Sequence, residues 1–273
     1  MTFDDGTYYT DRAIKANNKR TKGSASLIRA RKGVYLLYGT ITRIVIPGQP
    51  LHIMHRGNDR QNIFESDEDM FRIRDDIAVS LNKADCSLHA YVIMTNHLHF
   101  LLTPNNEKAL ASFMQSVANR YVRFFNADRK RTGTIWEGRF KSCLVESDRY
   151  AMTLYRYIER NPVRAGLVES VADYRWSSYH ANALGKKDLL VTEHPLYSAL
   201  GKTPSARQHQ YQKLFDEPVM KHQDEEIETA TMKGEVLGSK VFHERIGTLV
   251  GRITQLGSHG GDRKSQARKD QVG

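Results

Sequence analysis

The chain has 273 residues, 40% of them hydrophobic, enough to pack a core in one medium domain with extensions or in two small domains. Its 41 lysines and arginines against 31 acidic residues give a net charge of +10, which favours a polyanionic partner. Only Cys86 and Cys143 occur, which argues against a disulfide framework, and no apolar run approaches the roughly 18 residues of a membrane span; with the polar start MTFDDGTYYT this reads as a cytoplasmic protein with no membrane partner.

Residues 1–40 are basic, with weak apolar periodicity, and read as a loosely ordered N-terminal extension. The main domain is expected over 41–185. Leu51, Ile53 and His55 alternate as a strand after a Pro-Gly turn signal. A helix follows, capped by Ser66, with Met70, Ile73, Ile77 and Leu81 at helical spacing. SLHAYVIM and HLHFLL, separated by Thr95 and Asn96, predict a hairpin. A second helix spans about 107–127, with Leu110, Phe113, Val117 and Tyr121 as its apolar stripe, and IWEGRFKSCLVES is part strand. A third helix, capped by Asp148, stops at Pro162. The order β, α, β-β, α, β, α predicts an α+β domain, an antiparallel sheet with helices on one face. Residues 186–257 read as a helical C-terminal region, and 258–273, almost free of apolar residues, as a disordered tail.

TNHLHFLL places two imidazoles in an apolar strand. Side chains i and i+2 share a face, so His97 and His99 stand side by side, with Cα atoms roughly 6.5 Å apart. Both can reach one divalent cation, although an ordinary pair of half-exposed histidines has the same pattern. On the third helix, Tyr150, Leu154, Tyr157, Ile158 and Asn161 form the inward stripe and Tyr155 lies off it. A hydroxyl and a carboxamide on an inward face need polar partners. A metal held by the histidines would supply them, with the Asn161 carbonyl as a further donor; a core tyrosine with a satisfied hydroxyl is the plainer alternative.

RGNDRQNIF, HAYVIMTNHLHFLLTP, RYVRFFN, RTGTIWEGRFKS, YIERNPVRAGLV and WSSY occur in this order between about residues 44 and 184. Together they resemble the REP-associated tyrosine transposases, a branch of the single-tyrosine HUH transposases. The resemblance implies an HUH endonuclease domain with a ferredoxin-like sheet. It implies that His97 and His99 bind Mg²⁺ or Mn²⁺, that Tyr157 is the nucleophile and that Asn161 stands at the metal. Related insertion-sequence enzymes have glutamine at the Asn161 position, and asparagine is shorter. The implied reaction cleaves single-stranded, hairpin-associated DNA through a 5′-phosphotyrosine, in a monomer or homodimer associated with the nucleoid.

Phosphotyrosine suits reversible strand transfer, because a phenol of pKa near 10 is also a competent leaving group. Arg56, Asn58, Arg60, Arg120, Arg123, Arg139 and Lys141, interleaved with aromatic residues, form the expected DNA surface. The main alternative is a non-catalytic hairpin-DNA-binding regulator. A metallohydrolase of another class lacks acidic residues near the pair, since 86–106 contains no Asp or Glu. A structural zinc site lacks a closed ligand set.

Overall fold

The computed structural model describes residues 27–29, 35–37, 43–218, 220–251 and 253–254. It contains two compact units, divided after Thr42. In the first, β1 (Leu27–Arg29) and β2 (Tyr35–Leu37) pair antiparallel, Leu27 opposite Leu37. Most of the basic extension and all of the tail expected at 258–273 lie outside the described residues.

The second unit begins with β3 (Leu51–Arg56), α1 (Asp67–Lys83), β4 (Cys86–Ile93), β5 (His97–Pro104), α2 (Ala109–Asp128) and β6 (Lys141–Val145). This is the β-α-β-β-α-β order of a ferredoxin-like domain. Next come α3 (Ser147–Glu159), the short helices α4 (Asn161–Arg164), α5 (Tyr179–Asn182) and α6 (Pro195–Ser198), then α7 (Pro204–Asp216), α8 (Lys221–Lys233), β7 (Val236–Leu237) and α9 (Lys240–Val250). The sheet order is β4-β5-β3-β6-β7. The first four strands are antiparallel to their neighbours, and β7 adds a parallel edge against β6.

Local chemistry sets the element ends. Ser66 accepts from the Asp69 amide at 3.2 Å and Asp69 returns a bond to the Ser66 amide at 3.2 Å, a capping box that starts α1. Helix α3 starts differently from expectation. It begins at Ser147 after Glu146, and Asp148 sits in its first turn rather than at the cap. The Glu146 carboxylate is drawn instead to Ser239, whose amide and hydroxyl donate at 2.6 and 3.0 Å. Pro162 does end the helix, and the chain re-enters a single turn as α4.

Helices α1 and α2 cover the sheet face of Ile53, Leu98 and Phe100, where Phe113 packs edge-on against Phe100 at 5.6 Å. They lie on one face, as expected. The opposite face is also covered, by α3 and α8, which the one-sided arrangement does not include. Residues 186–254 accordingly do not stand apart. They belong to the same unit and contribute a strand to its sheet.

Candidate functional site

Strand register assembles the site on the face covered by α3. His97 lies opposite Arg56 and His99 opposite Met54, so both imidazoles share a face with His52, Met54 and Arg56, while Leu98 is fully buried on the other. The rings of His97 and His99 are 4.9 Å apart, centroid to centroid. Tyr157 on α3 meets them edge-on, 5.8 Å from His99 and 5.5 Å from His52. A cavity of about 280 Å³ is lined by His97, His99, Tyr157, Asn161, Arg164 and Glu228, among others.

The polar contacts fix which histidine atoms face this cleft. His97 Nδ1 donates to the Asn96 carboxamide oxygen at 2.6 Å, and Asn96 is itself oriented by donating to the Arg60 carbonyl at 2.9 Å. His99 Nδ1 lies 2.9 Å from His52 Nε2. Each Nδ1 is therefore engaged, leaving Nε2 as the free donor atom, the arrangement that metal-binding imidazoles adopt. Burial lowers the pKa of His97 to about 4, with the charges of Arg56 and Arg164 acting the same way. Burial likewise holds His99 well below the usual imidazole range, reinforced by His97 and His52. Both rings are neutral at physiological pH and present lone pairs.

Asn161 is buried and donates its amide to the Tyr157 and Ile158 carbonyls at 2.8 and 3.2 Å, closing the end of α3. Its carbonyl oxygen is the atom left for the cleft. Burial raises the pKa of Tyr157, and Asp224 and Glu228 act in the same sense, while a hydrogen bond and the charge of Arg164 pull it back. The Arg164 guanidinium stands 4.8 Å over the Tyr157 ring. A carboxamide oxygen and two imidazole nitrogens around a cavity fit a divalent cation with open positions. Among the described residues no three His, Cys, Asp or Glu side chains are grouped to hold a metal, and both ring nitrogens of His52 are already engaged, by Thr231 and His99.

Tyr155 points away from the histidines, as its helical position predicts, but it is not left at the surface. It is fully buried against Tyr211 and Tyr197, with ring centroids at 5.6 and 6.4 Å. Tyr150 donates to Glu226 at 2.9 Å.

The expected DNA surface divides. Arg56 pairs with Glu137 at 2.6 Å, and the Glu137 pKa is lowered by that bond and by the charges of Arg56, Arg60 and Lys141, so these groups form one cluster at the end of β3. Asn58, Arg60, Arg139 and Lys141 are exposed, and Arg139 also acts on Arg43. Arg120 is not brought to the cleft. Its guanidinium holds the buried Asp76 of α1 at 2.8 Å, between the two helices on the far face. Arg123 is exposed on that same helix α2.

Four contributors were not read from the sequence: His52, Asn96, Arg164 and Thr231. His52 had a usable signal, since it shares strand parity with Arg56. Thr231 had none.

The match to known proteins falls on the strands and helix that build this cleft. Residues 47–161 match the IS200-like transposases. That is less than half of the chain, but it holds His97, His99, Tyr157 and Asn161, and the resemblance read from the separated motifs holds there. A protein of Haemophilus influenzae assigned to the REP-associated tyrosine transposases is 33% identical over 101 residues, covering 33% of this chain and 57% of that relative. The chain thus spans just over half the relative's length. Among solved structures, a REP-associated tyrosine transposase bound to a REP hairpin overlays with TM-score 0.46 at 19% identity, over 57% of this chain and 92% of that one. A Deinococcus radiodurans protein assigned as a transposase overlays with TM-score 0.31 at 15% identity, over 46% and 95%. Helix α8 and strand β7 lie beyond the matched segment.

Proposed function

We propose that the chain is a metal-dependent transposase that nicks and rejoins single-stranded DNA beside a hairpin, with Tyr157 as nucleophile. The observation that supports this most is the placement of one tyrosine, Tyr157, across a shared cavity from two neutral histidines whose free nitrogens face it. Tyr157 Oη attacks the scissile phosphorus and a 5′-phosphotyrosine forms. The P–O3′ bond breaks, and the departing strand end takes up a proton as a free 3′-hydroxyl. Attack by a 3′-hydroxyl on the phosphotyrosine reverses the step onto another strand and returns the tyrosine.

Nε2 of His97 and His99 with Oδ1 of Asn161 would hold Mg²⁺ or Mn²⁺, which when bound would supply charge neutralisation to the phosphate. Arg164 stabilises the phenolate against burial. Arg56, Arg60, Arg139 and Lys141 engage the DNA backbone at the rim. A second cavity of about 220 Å³ shares Tyr157 and Arg164 with the first and adds Arg156 and Arg160, whose charges are accompanied there by Glu217 and Asp224.

Labelled hairpin DNA with single-stranded flanks should become covalently attached to the protein, and excess EDTA or His97→Ala should abolish the adduct. Undiminished attachment in EDTA would exclude the metal. Tight, specific hairpin binding with no adduct under any divalent cation would return the regulator reading. Binding should weaken steeply with salt, and Arg60→Ala with Lys141→Ala should flatten that dependence; an unchanged salt slope would remove these two residues from the interface.

A further inference from the structure

The bond that orients His99 is one link in a longer chain, and that chain leaves the matched segment. Thr231 on α8 donates its only hydroxyl proton to the Ile227 carbonyl, 2.7 Å away in the preceding turn. Toward His52 Nδ1, at 2.7 Å, the same oxygen can therefore act only as acceptor. His52 Nδ1 then carries the proton, and in the neutral ring Nε2 carries a lone pair. That lone pair faces His99 Nδ1 at 2.9 Å, so His99 donates there and its own Nε2 is bare toward the cleft. His52 is fully buried, and its ring plane lies within 3° of that of His99. The Cys143 thiol, 3.3 Å from the Thr231 oxygen, is the remaining polar neighbour and leaves this polarity unchanged by donating to it.

We propose that Thr231 and His52 are positioning residues that set the tautomer of His99, so that the C-terminal helix α8 helps to build the centre on β5. The inference rests on the reading of His99 as a metal donor only for its consequence, not for the relay itself. His97 is held by a separate and shorter chain, through Asn96 to the Arg60 carbonyl. The two imidazoles thus derive their orientation from opposite sides of the sheet order, one from the β4–β5 turn and one from α8.

The loss of the Thr231 oxygen leaves a buried N–H on His52 with no acceptor. The low-energy response is a proton shift: His52 becomes protonated at Nε2, donates to His99 Nδ1, and His99 carries its proton at Nε2, where it blocks the cleft. The test is made on the full chain. In the metal-free protein, long-range ¹⁵N–¹H correlations should show His99 protonated at Nδ1 in the wild type. Thr231→Val should move it to Nε2 wholly or in part, and Thr231→Ser should restore the wild-type pattern. Mn²⁺ affinity, titrated calorimetrically, should fall in Thr231→Val by about 10-fold or more, as for other partners of metal-binding imidazoles, and recover in Thr231→Ser. A wild-type His99 protonated at Nε2, or a Thr231→Val protein with an unchanged His99 tautomer, overturns the relay. Wild-type protein that shows the expected tautomers but binds no Mn²⁺ overturns the metal reading and leaves the relay standing.

Discussion

Tyr155 and Tyr157 are two residues apart on one helix and meet different fates. Tyr157 faces the histidines with Arg164 over its ring, whereas Tyr155 is sealed among Tyr197 and Tyr211. Tyr157→Phe should remove the DNA adduct while DNA binding and the fold persist, because only the oxygen proposed to attack is lost. Mass spectrometry of a digested wild-type adduct checks the assignment; a nucleotide mass on Tyr155 or Tyr150 defeats it. Tyr155→Phe should keep full adduct formation. Its buried hydroxyl makes no bond of full geometry among the described residues, although the His194 backbone acts on its oxygen, so the substitution should change stability by no more than about 1 kcal/mol in urea unfolding. Loss of more than that would show a hidden partner. At this scale much of the site was legible. Strand parity placed His97 beside His99, and the 3.6-residue period placed Tyr157 over Asn161. Each rule works within one element. His52 and Thr231 were hidden because their meaning arises between elements distant in sequence, through a bond across β3 and β5 and another from α8.

Helix α3 carries Tyr157, the proposed nucleophile, and what holds the helix is a carboxylate two residues further on. Glu159 is fully buried, with its pKa raised to about 7 by burial and drawn back by three neutral donors. Ser178 and Asn182 donate to one oxygen at 2.6 and 2.9 Å, and Tyr211 to the other at 2.7 Å. The last turn of α3 is thereby tied to α5 and α7, and Tyr157 is fixed in height above the sheet. Glu159→Ala should cost about 3 kcal/mol, since it strips a shared acceptor from three buried donors. It should also slow adduct formation more than it weakens DNA binding. A loss below 1 kcal/mol would mean that α3 is held by its apolar stripe alone. Nothing in the pattern of YIERN marks Glu159 as buried, because its partners come from residues 178, 182 and 211. The same reason explains why helices were expected on one face of the sheet only. Helix α8 has few apolar residues on a strong stripe, and its seat depends on Ile227, Ala230 and Thr231 meeting β6 and β3.

For the molecule as a whole, buried histidines make stability a function of pH. His55 and His89 lie away from the candidate metal donors and are 5% and 3% exposed. Burial lowers both pKa values to about 4, outweighing a hydrogen bond to the Gly138 carbonyl in one and to the Thr192 carbonyl in the other. An ordinary imidazole titrates near 6.5. Between about pH 6.5 and 4, then, each takes up a proton in the unfolded chain and stays neutral in the fold. Unfolding binds protons in that window, so stability falls as the pH falls, by up to about 1.4 kcal/mol per pH unit for each residue. Glu159 acts in the opposite sense. Its raised pKa gives a contribution that is complete below pH 4.5 and is lost as the pH rises through about 7. One carboxylate offsets one histidine at most, and the balance is a net loss of stability on acidification. Urea midpoints measured from pH 7 to 4.5 should therefore decline. His89→Gln keeps an amide able to donate to the Thr192 carbonyl and accept from the Thr103 hydroxyl, which His89 contacts at 2.8 and 2.9 Å, but it cannot titrate. Its slope below pH 6 should be shallower by nearly one proton. A slope identical to the wild type would place the acid sensitivity elsewhere and remove His89 from the account.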